Sequence, residues 1–307
     1  MSPLVYSLPM RTRFRGITVR EGVLLRGAAG WGEFSPFGDY DAPECVPWLR
    51  AAREAADEGW PAPLREQIPV NVTVPAVGPE QARAIVAGSG CRTAKVKVAE
   101  PGQAEADDLD RVEAVRDALG PGGRIRVDAN GGWDTDTAVR MLKLLDRFDL
   151  EYAEQPCRTV EELAEVRRRQ HVPVAADESI RRAEDPYRVA REEAADIAVL
   201  KVQPLGGVRA CLDIAERIGL PVVVSSALET SVGIAAGVAL AAALPELPYA
   251  CGLATVQLLT ADVVDDPLLP VDGMLPVRRP EPATVPPVAE ATVQWWRERL
   301  SAVEALA

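Results

Sequence analysis

Histidine is almost missing from this chain of 307 residues: the one present, His171, stands just ahead of Val172-Pro173. Ser-His-Asp and Cys-His mechanisms need a histidine base, and this one, in a loop before a strand-like run, reads as a surface residue. The five cysteines, Cys45, Cys91, Cys157, Cys211 and Cys251, are scattered and form no Cys-x-x-Cys. They argue against a disulfide framework or a zinc site and fit a reducing cytoplasm. No apolar run reaches the roughly 20 residues of a membrane span. The opening MSPLVYSLPMRTRF lacks a basic stretch followed by an apolar one, so no secretory leader is expected. A net charge of −12 argues against nucleic acid as a partner. The glycine-rich loops that cradle nucleotides are absent too. Asn71-Val72-Thr73 is a glycosylation sequon only by pattern, since it lies in an apolar strand-like run.

Lysine is also scarce. Of 34 cationic residues only Lys95, Lys97, Lys143 and Lys201 are lysines. Arginine does not give up its proton in proteins, whereas a lysine amine can. Lysines kept against such a bias point to proton chemistry.

What the chain does contain is organised. Apolar residues make up 48% and charged residues 26%, a globular balance. Ile17–Arg20 and Val23–Leu25 around Glu21-Gly22 predict a hairpin. Asp41-Ala42-Pro43-Glu44 predicts a capped helix start, with the helix ending near Gly59. From about residue 69, eight short apolar runs alternate with amphipathic stretches. The runs are 70–74, 94–98, 125–128, 152–155, 174–177, 197–202, 222–225 and 249–253. Helices are expected at Asp107–Leu119, Thr135–Leu145 and Val160–Arg169. Eight such units predict an α/β fold, a (β/α)8-type barrel. Residues 1–68 read as an α+β capping domain, 69–265 as the catalytic barrel, and 266–307 as a tail returning to the cap.

Strands buried on both faces should be almost continuously apolar, yet several here carry charge near their C-terminal ends. Lys95 and Lys97 alternate within one run and so share a face. Lys97, Asp128, Glu154, Asp177 and Lys201 follow at intervals of 31, 26, 23 and 24 residues. A barrel of ~250 residues advances about 30 per unit, so these charges reach one height at the C-terminal mouth, where barrel active sites lie. Buried charges there are costly unless paired or bound to metal. Three carboxylates form a hard oxygen site suited to Mg²⁺. Lysines flanking such a site would give up protons more readily. Together they point to proton abstraction α to a carboxylate.

In order, Lys-x-Lys, Asp-x-Asn, Glu-Gln-Pro, Asp-Glu-Ser and a later lysine resemble the muconate-lactonising subgroup of the enolase superfamily. Among its members the chain most resembles the o-succinylbenzoate synthases, through Gly30–Pro36, Val224–Glu229 and Gly252–Thr255. The resemblance implies dehydration of 2-succinyl-6-hydroxy-2,4-cyclohexadiene-1-carboxylate, a small carboxylate, to o-succinylbenzoate, a menaquinone precursor. It makes Lys97 the base, Lys201 the cation that stabilises the enediolate, and Lys95 a like charge favouring the neutral amine of Lys97. It makes Asp128, Glu154 and Asp177 the ligands of Mg²⁺, with Mn²⁺ as a substitute. Ser225, Ser226, Gly252 and Leu253 would bind the substrate, with Asn130 and Glu178 behind the ligands and loops around Arg15–Arg20 and Phe37–Asp41 closing above. Relatives sharing the lysine pair cycloisomerise muconates, racemise N-succinylamino acids or epimerise dipeptides. The last of these typically carry an Asp-x-Asp in the eighth unit, which Cys251-Gly252-Leu253-Ala254 lacks. A non-catalytic ligand-binding barrel would be expected to have lost a motif residue, and none is lost.

Overall fold

A computed structural model describes residues 3–181, 185–283 and 285–307. The opening Met1 and Ser2 of the leader reading lie outside the described residues. The chain begins with an antiparallel meander, β1 (Leu4–Phe14), β2 (Ile17–Gly27) and β3 (Gly30–Phe34). Its turns fall at Arg15-Gly16 and Ala28-Ala29, not at Glu21-Gly22, so the predicted hairpin is one uninterrupted strand. Gly22 is there for close packing. It pairs with Tyr6, and a Cβ on it would stand 2.7 Å from the Tyr6 hydroxyl and 2.6 Å from the Ser35 Cβ.

The predicted capping box forms at α1 (Ala42–Arg53): Glu44 N donates to Asp41 Oδ1 at 2.9 Å and Asp41 N to Glu44 Oε2 at 3.1 Å. A π-helical turn, Glu54–Glu58, carries the helix to Gly59. Glu54 there accepts from Val208 N and Arg209 N, tying the cap to a helix start in the barrel.

After β4 (Gln67–Pro69), the barrel strands are β5 (Val72–Val74), β6 (Thr93–Lys97), β7 (Arg124–Asp128), β8 (Leu150–Glu154), β9 (Val174–Ala176), β10 (Ile197–Leu200) and β11 (Val222–Val224). They form a curled parallel sheet of seven strands in sequence order. The intervening helices are α2 (Pro79–Ser89), α3 (Glu105–Leu119), α4 (Thr135–Leu145), α5 (Val160–Arg169), α6 (Glu178–Arg181), α7 (Arg188–Arg191), α8 (Val202–Leu205), α9 (Val208–Ile218) and α10 (Ser231–Ala243).

The predicted eighth strand at 249–253 is reduced to a two-residue stave. Cys251 bridges Val70 and Gly252 bridges Ser225, joining the two edges of the sheet. Four hydrogen bonds hold it: Cys251 N to Pro69 O, Asn71 N to Cys251 O, Gly252 N to Val224 O and Ser226 N to Gly252 O, all 2.7–3.1 Å. The backbone groups a free edge would expose are thereby paired.

Almost every residue of α10 is buried. It packs against β3 of the meander on one side and β11 on the other, which is why it is apolar all round. β12 (Met274–Pro276) then pairs antiparallel with β4, and α11 (Glu290–Glu304) returns to the meander. Trp296, Leu300 and Val303 join a core with Tyr6, Leu24, Phe34 and Trp48, and Trp296 meets Phe34 edge-on at 6.2 Å. Ala227 and Leu228 from the loop after β11 belong to this same cluster.

The isolated residues fall as expected. The five cysteines are free and buried, and His171 is exposed beside Asp146. Asn71 is buried and hydrogen-bonded to Arg126. Among the described residues no helix is long and apolar enough to cross a membrane.

Candidate active site

Three of the four lysines meet the three acids at the mouth of the sheet, while Lys143 lies exposed on α4. Register explains the meeting: Lys97 pairs with Asp128 and Asp128 with Glu154, so they share one height. Lys97 Nζ donates to Asp128 Oδ2 at 2.5 Å and to Asn130 Oδ1 at 2.6 Å. Asn130 can turn its amide there because its backbone is left-handed (φ 46°), a conformation asparagine tolerates. Its Nδ2 donates to Glu178 Oε1 at 3.2 Å, so both residues placed behind the ligands touch each other. Lys201 Nζ donates to Asp177 Oδ2 at 2.7 Å from the far side of the ring.

Lys95 and Lys97 both reach Asp128 Oδ2. The Lys95 ammonium bridges Glu154 Oε1 at 2.8 Å and Asp128 Oδ2 at 3.2 Å. Burial disfavours that charge, but the two carboxylates outweigh burial and hold the Lys95 pKa above the ordinary lysine value. It is a fixed cation that neutralises acids. Lys201 moves the other way, lowered by burial and by the nearby Arg181 and Lys95 charges despite Asp177.

Sequence reasoning missed two neighbours. Arg181, one turn after Asp177 on α6, donates to Asp177 Oδ1 at 2.9 Å, to Glu178 Oε1 at 2.5 Å and to the Tyr40 hydroxyl of the cap. Its signal was the i, i+4 spacing of Asp177 and Arg181. Gln155 accepts from Asp177 N at 2.9 Å and Ser179 N at 3.2 Å, fixing the end of β9 from the end of β8.

A narrow cavity of ≈ 30 Å³ opens above the lysines, lined among others by Lys95, Lys97, Lys201, Ser225, Ser226 and Gly252. Ser226 shares a 2.7 Å hydrogen bond with Thr255. Leu253 does not line it. Its side chain packs against Gly237 of α10, because successive residues of an extended stave face opposite sides. Phe14, Arg15 and Phe37 of the cap line the cavity instead, and Lys97 Nζ lies 5.3 Å from the Phe14 ring centre.

The cavity wall at Ala227 and Leu228 is braced from the cap. Buried Arg20, at the edge of the segment expected to close above the site, lies within β2 and donates to Leu228 O at 2.9 Å, Ala227 O at 3.2 Å and Ser35 Oγ at 3.0 Å. Beneath it, Glu33 accepts from Tyr6, Ser35, Thr230 and Gly233. Glu229 lies beside it, pushed up to about 7 by burial and by the Glu33 charge.

Among the described residues no three acidic, histidine or cysteine side chains already converge as a metal cage. Here the acids turn to ammonium groups. The donor set nevertheless fits a hard divalent cation. Glu154 is pushed up to about 7 first by burial and then by repulsion from Asp128, with Asp177 adding to it, and together the three side chains offer only hard carboxylate oxygens. Glu178 Oε2 is also buried there without a partner.

Carboxylates on successive strand ends, flanked by lysines beneath a cap, define a barrel of the enolase type. Residues 79–282 match the enolase C-terminal domain-like family and residues 5–56 the enolase N-terminal domain-like family. Muconate lactonizing enzyme from Pseudomonas fluorescens has the same fold, with a TM-score of 0.78 at 22% identity over 96% of this chain and 97% of that one. The L-Ala-D/L-Glu epimerase of Bacillus subtilis also gives a TM-score of 0.78, at 22% identity over 92% of this chain and 96% of that one. The chain is 70% identical to the o-succinylbenzoate synthase of Thermobifida fusca (strain YX), over 99% of this chain and 96% of the relative. It is 56% identical to that of Mycolicibacterium smegmatis, over 98% of this chain and 95% of the relative. The chain belongs to the o-succinylbenzoate synthase family of the enolase superfamily and is an enzyme.

Proposed function

We propose that this enzyme removes water from 2-succinyl-6-hydroxy-2,4-cyclohexadiene-1-carboxylate to give o-succinylbenzoate, a lyase reaction supplying a menaquinone precursor in the cytoplasm. Residues 1–68 act as the cap, 69–265 as the catalytic barrel and 266–307 as the tail that completes the cap. Enolase-type enzymes stabilise ene-diolates with Mg²⁺, and here Asp128, Glu154 and Asp177 would hold it. When bound, the ion supplies positive charge to the substrate carboxylate, with Mn²⁺ as a substitute.

The chain's own residues carry the protons. Lys97, as the neutral amine, takes the proton from the carbon α to the carboxylate. Asn130 orients that amine. Lys201 places a cation at the enediolate from the opposite side. The ammonium of Lys97 then returns its proton to the departing hydroxyl, so C–H and C–OH become water and an aromatic ring. Phe14 excludes solvent in front of Lys97, which strengthens each charge interaction inside. Ser225, Ser226 and Gly252 shape the space for the succinyl part.

The observation that carries this reading is the row Lys97, Asp128, Glu154, Asp177 and Lys201 around one mouth. The test is the ultraviolet change as the ring becomes aromatic, with purified Mg²⁺-loaded enzyme. Absence of turnover, or full turnover after thorough chelation, overturns it. The placement of Lys201 across the site from Lys97 favours a second activity, racemisation of N-succinylamino acids, because an amine on the second face can also exchange a proton. Deuterium exchange at the α-carbon of each enantiomer measures it.

A further inference from the structure

A second, larger space of ≈ 640 Å³ lies in front of the narrow cavity, and the two share Phe14, Arg15 and Lys97. Its wall carries four cations, Arg13, Arg15, Arg158 and Lys97, against one carboxylate, Glu100. That balance is opposite to the chain's net charge of −12. Arg13 lies near the end of β1 and Arg15 in the turn after it, both exposed, while Phe14 between them lies over Lys97. Arg158 comes from the loop after β8. Its stem packs over Gly131, where a Cβ would come within 3.0 Å of Arg158 Cγ. Elsewhere on the surface many arginines are paired with acids, such as Arg140 with Glu105 and Arg188 with Glu161. Among the described residues Arg13, Arg15 and Arg158 have no carboxylate partner within salt-bridge distance, so their charge is left to act on an incoming ligand.

We propose that this outer cleft is a cationic vestibule that gathers a carboxylate-bearing substrate against the field of an acidic protein and delivers it past Phe14 to Lys97. The proposal rests on the dehydration reading only for the identity of the anion. Clefts lined by one sign of charge raise association rates by about 10- to 1,000-fold, and the effect collapses with salt because exposed charges are screened. Arg13 and Arg158 line the vestibule without lining the inner cavity, so they separate steering from contact.

The test is stopped-flow association of o-succinylbenzoate, itself a dianion, with the full chain, beside kcat and KM for dehydration. The comparison is wild type against R13Q/R158Q and R13E/R158E, with R147Q/R297Q, on exposed arginines outside the cleft, as a control that removes the same charge as R13Q/R158Q. Association by R13Q/R158Q should fall about tenfold at low ionic strength, more for the double glutamate variant, and approach wild type near 0.5 M salt, where the screening length falls to a few ångströms. The loss should appear in KM, with kcat kept and the melting temperature unchanged. Equal association at low salt, a deficit that persists at high salt, or an equal loss in R147Q/R297Q overturns the vestibule. A wild type that shows this salt-dependent capture yet never dehydrates overturns the dehydration reading and leaves the vestibule standing.

Discussion

Replacing Glu229 with glutamine should make the enzyme more stable at neutral pH than at acid pH, relative to wild type. Glu229 is 1% exposed and lies beside Glu33 at the seam between cap and barrel. Burial first, and then the Glu33 charge, raise its carboxyl from an ordinary 4.5 to about 7. The folded protein therefore binds this proton more tightly than the unfolded chain does. Stability from this group is greatest below about pH 4.5, declines as pH rises toward about 7, and is level beyond. The difference corresponds to about 3 kcal/mol. Glutamine keeps an acceptor for Ala227 N, which donates to Glu229 at 2.9 Å, but cannot ionise. Any fixed cost of the exchange shifts both pH values equally, so the result lies in the slope. Urea unfolding of wild type and E229Q at pH 5 and pH 8 measures it. The variant should gain about 2–3 kcal/mol on wild type between those values. Parallel dependences in the two proteins would refute the placement of an ionisable carboxylate in this seam.

Lys97→Arg keeps the cation but loses the accessible neutral form, so dehydration should fall by about 100-fold or more in kcat. Lys201→Arg should retain measurable dehydration while losing proton exchange on its face, followed by NMR in deuterated water. Gly252→Ala puts a Cβ 2.6 Å from Ser225 Oγ. It should raise KM more than it lowers kcat, with an overpacking cost of about 1–3 kcal/mol seen in thermal melts. Trp296→Ala empties the contact with Phe34 and should destabilise the cap by about 3–5 kcal/mol, read from urea unfolding.

Much of this protein is legible in its sequence, because the signals involved are short-range. Asp41 and Glu44 cap a helix through groups three residues apart, and α4 and α5 begin and end where amphipathic spacing puts them. The heights of Lys97, Asp128 and Glu154 follow from the βα interval, since one step per unit repeats the same register. What only the tertiary structure decides are pairings between residues distant in the chain. Glu21-Gly22 looks like a turn until Tyr6 is packed on it. Residues 249–253 look like a strand until two residues suffice to join the sheet edges. Lys95 becomes a fixed cation because Glu154, 59 residues later, lies 2.8 Å away. Arg20 braces the cavity wall across 208 residues, and Glu33 accepts from Thr230 across 197. Local composition sets which conformations a segment prefers. Desolvation and charge pairing depend on which neighbours the fold delivers, and these set the protonation of Lys201, Glu154 and Glu229.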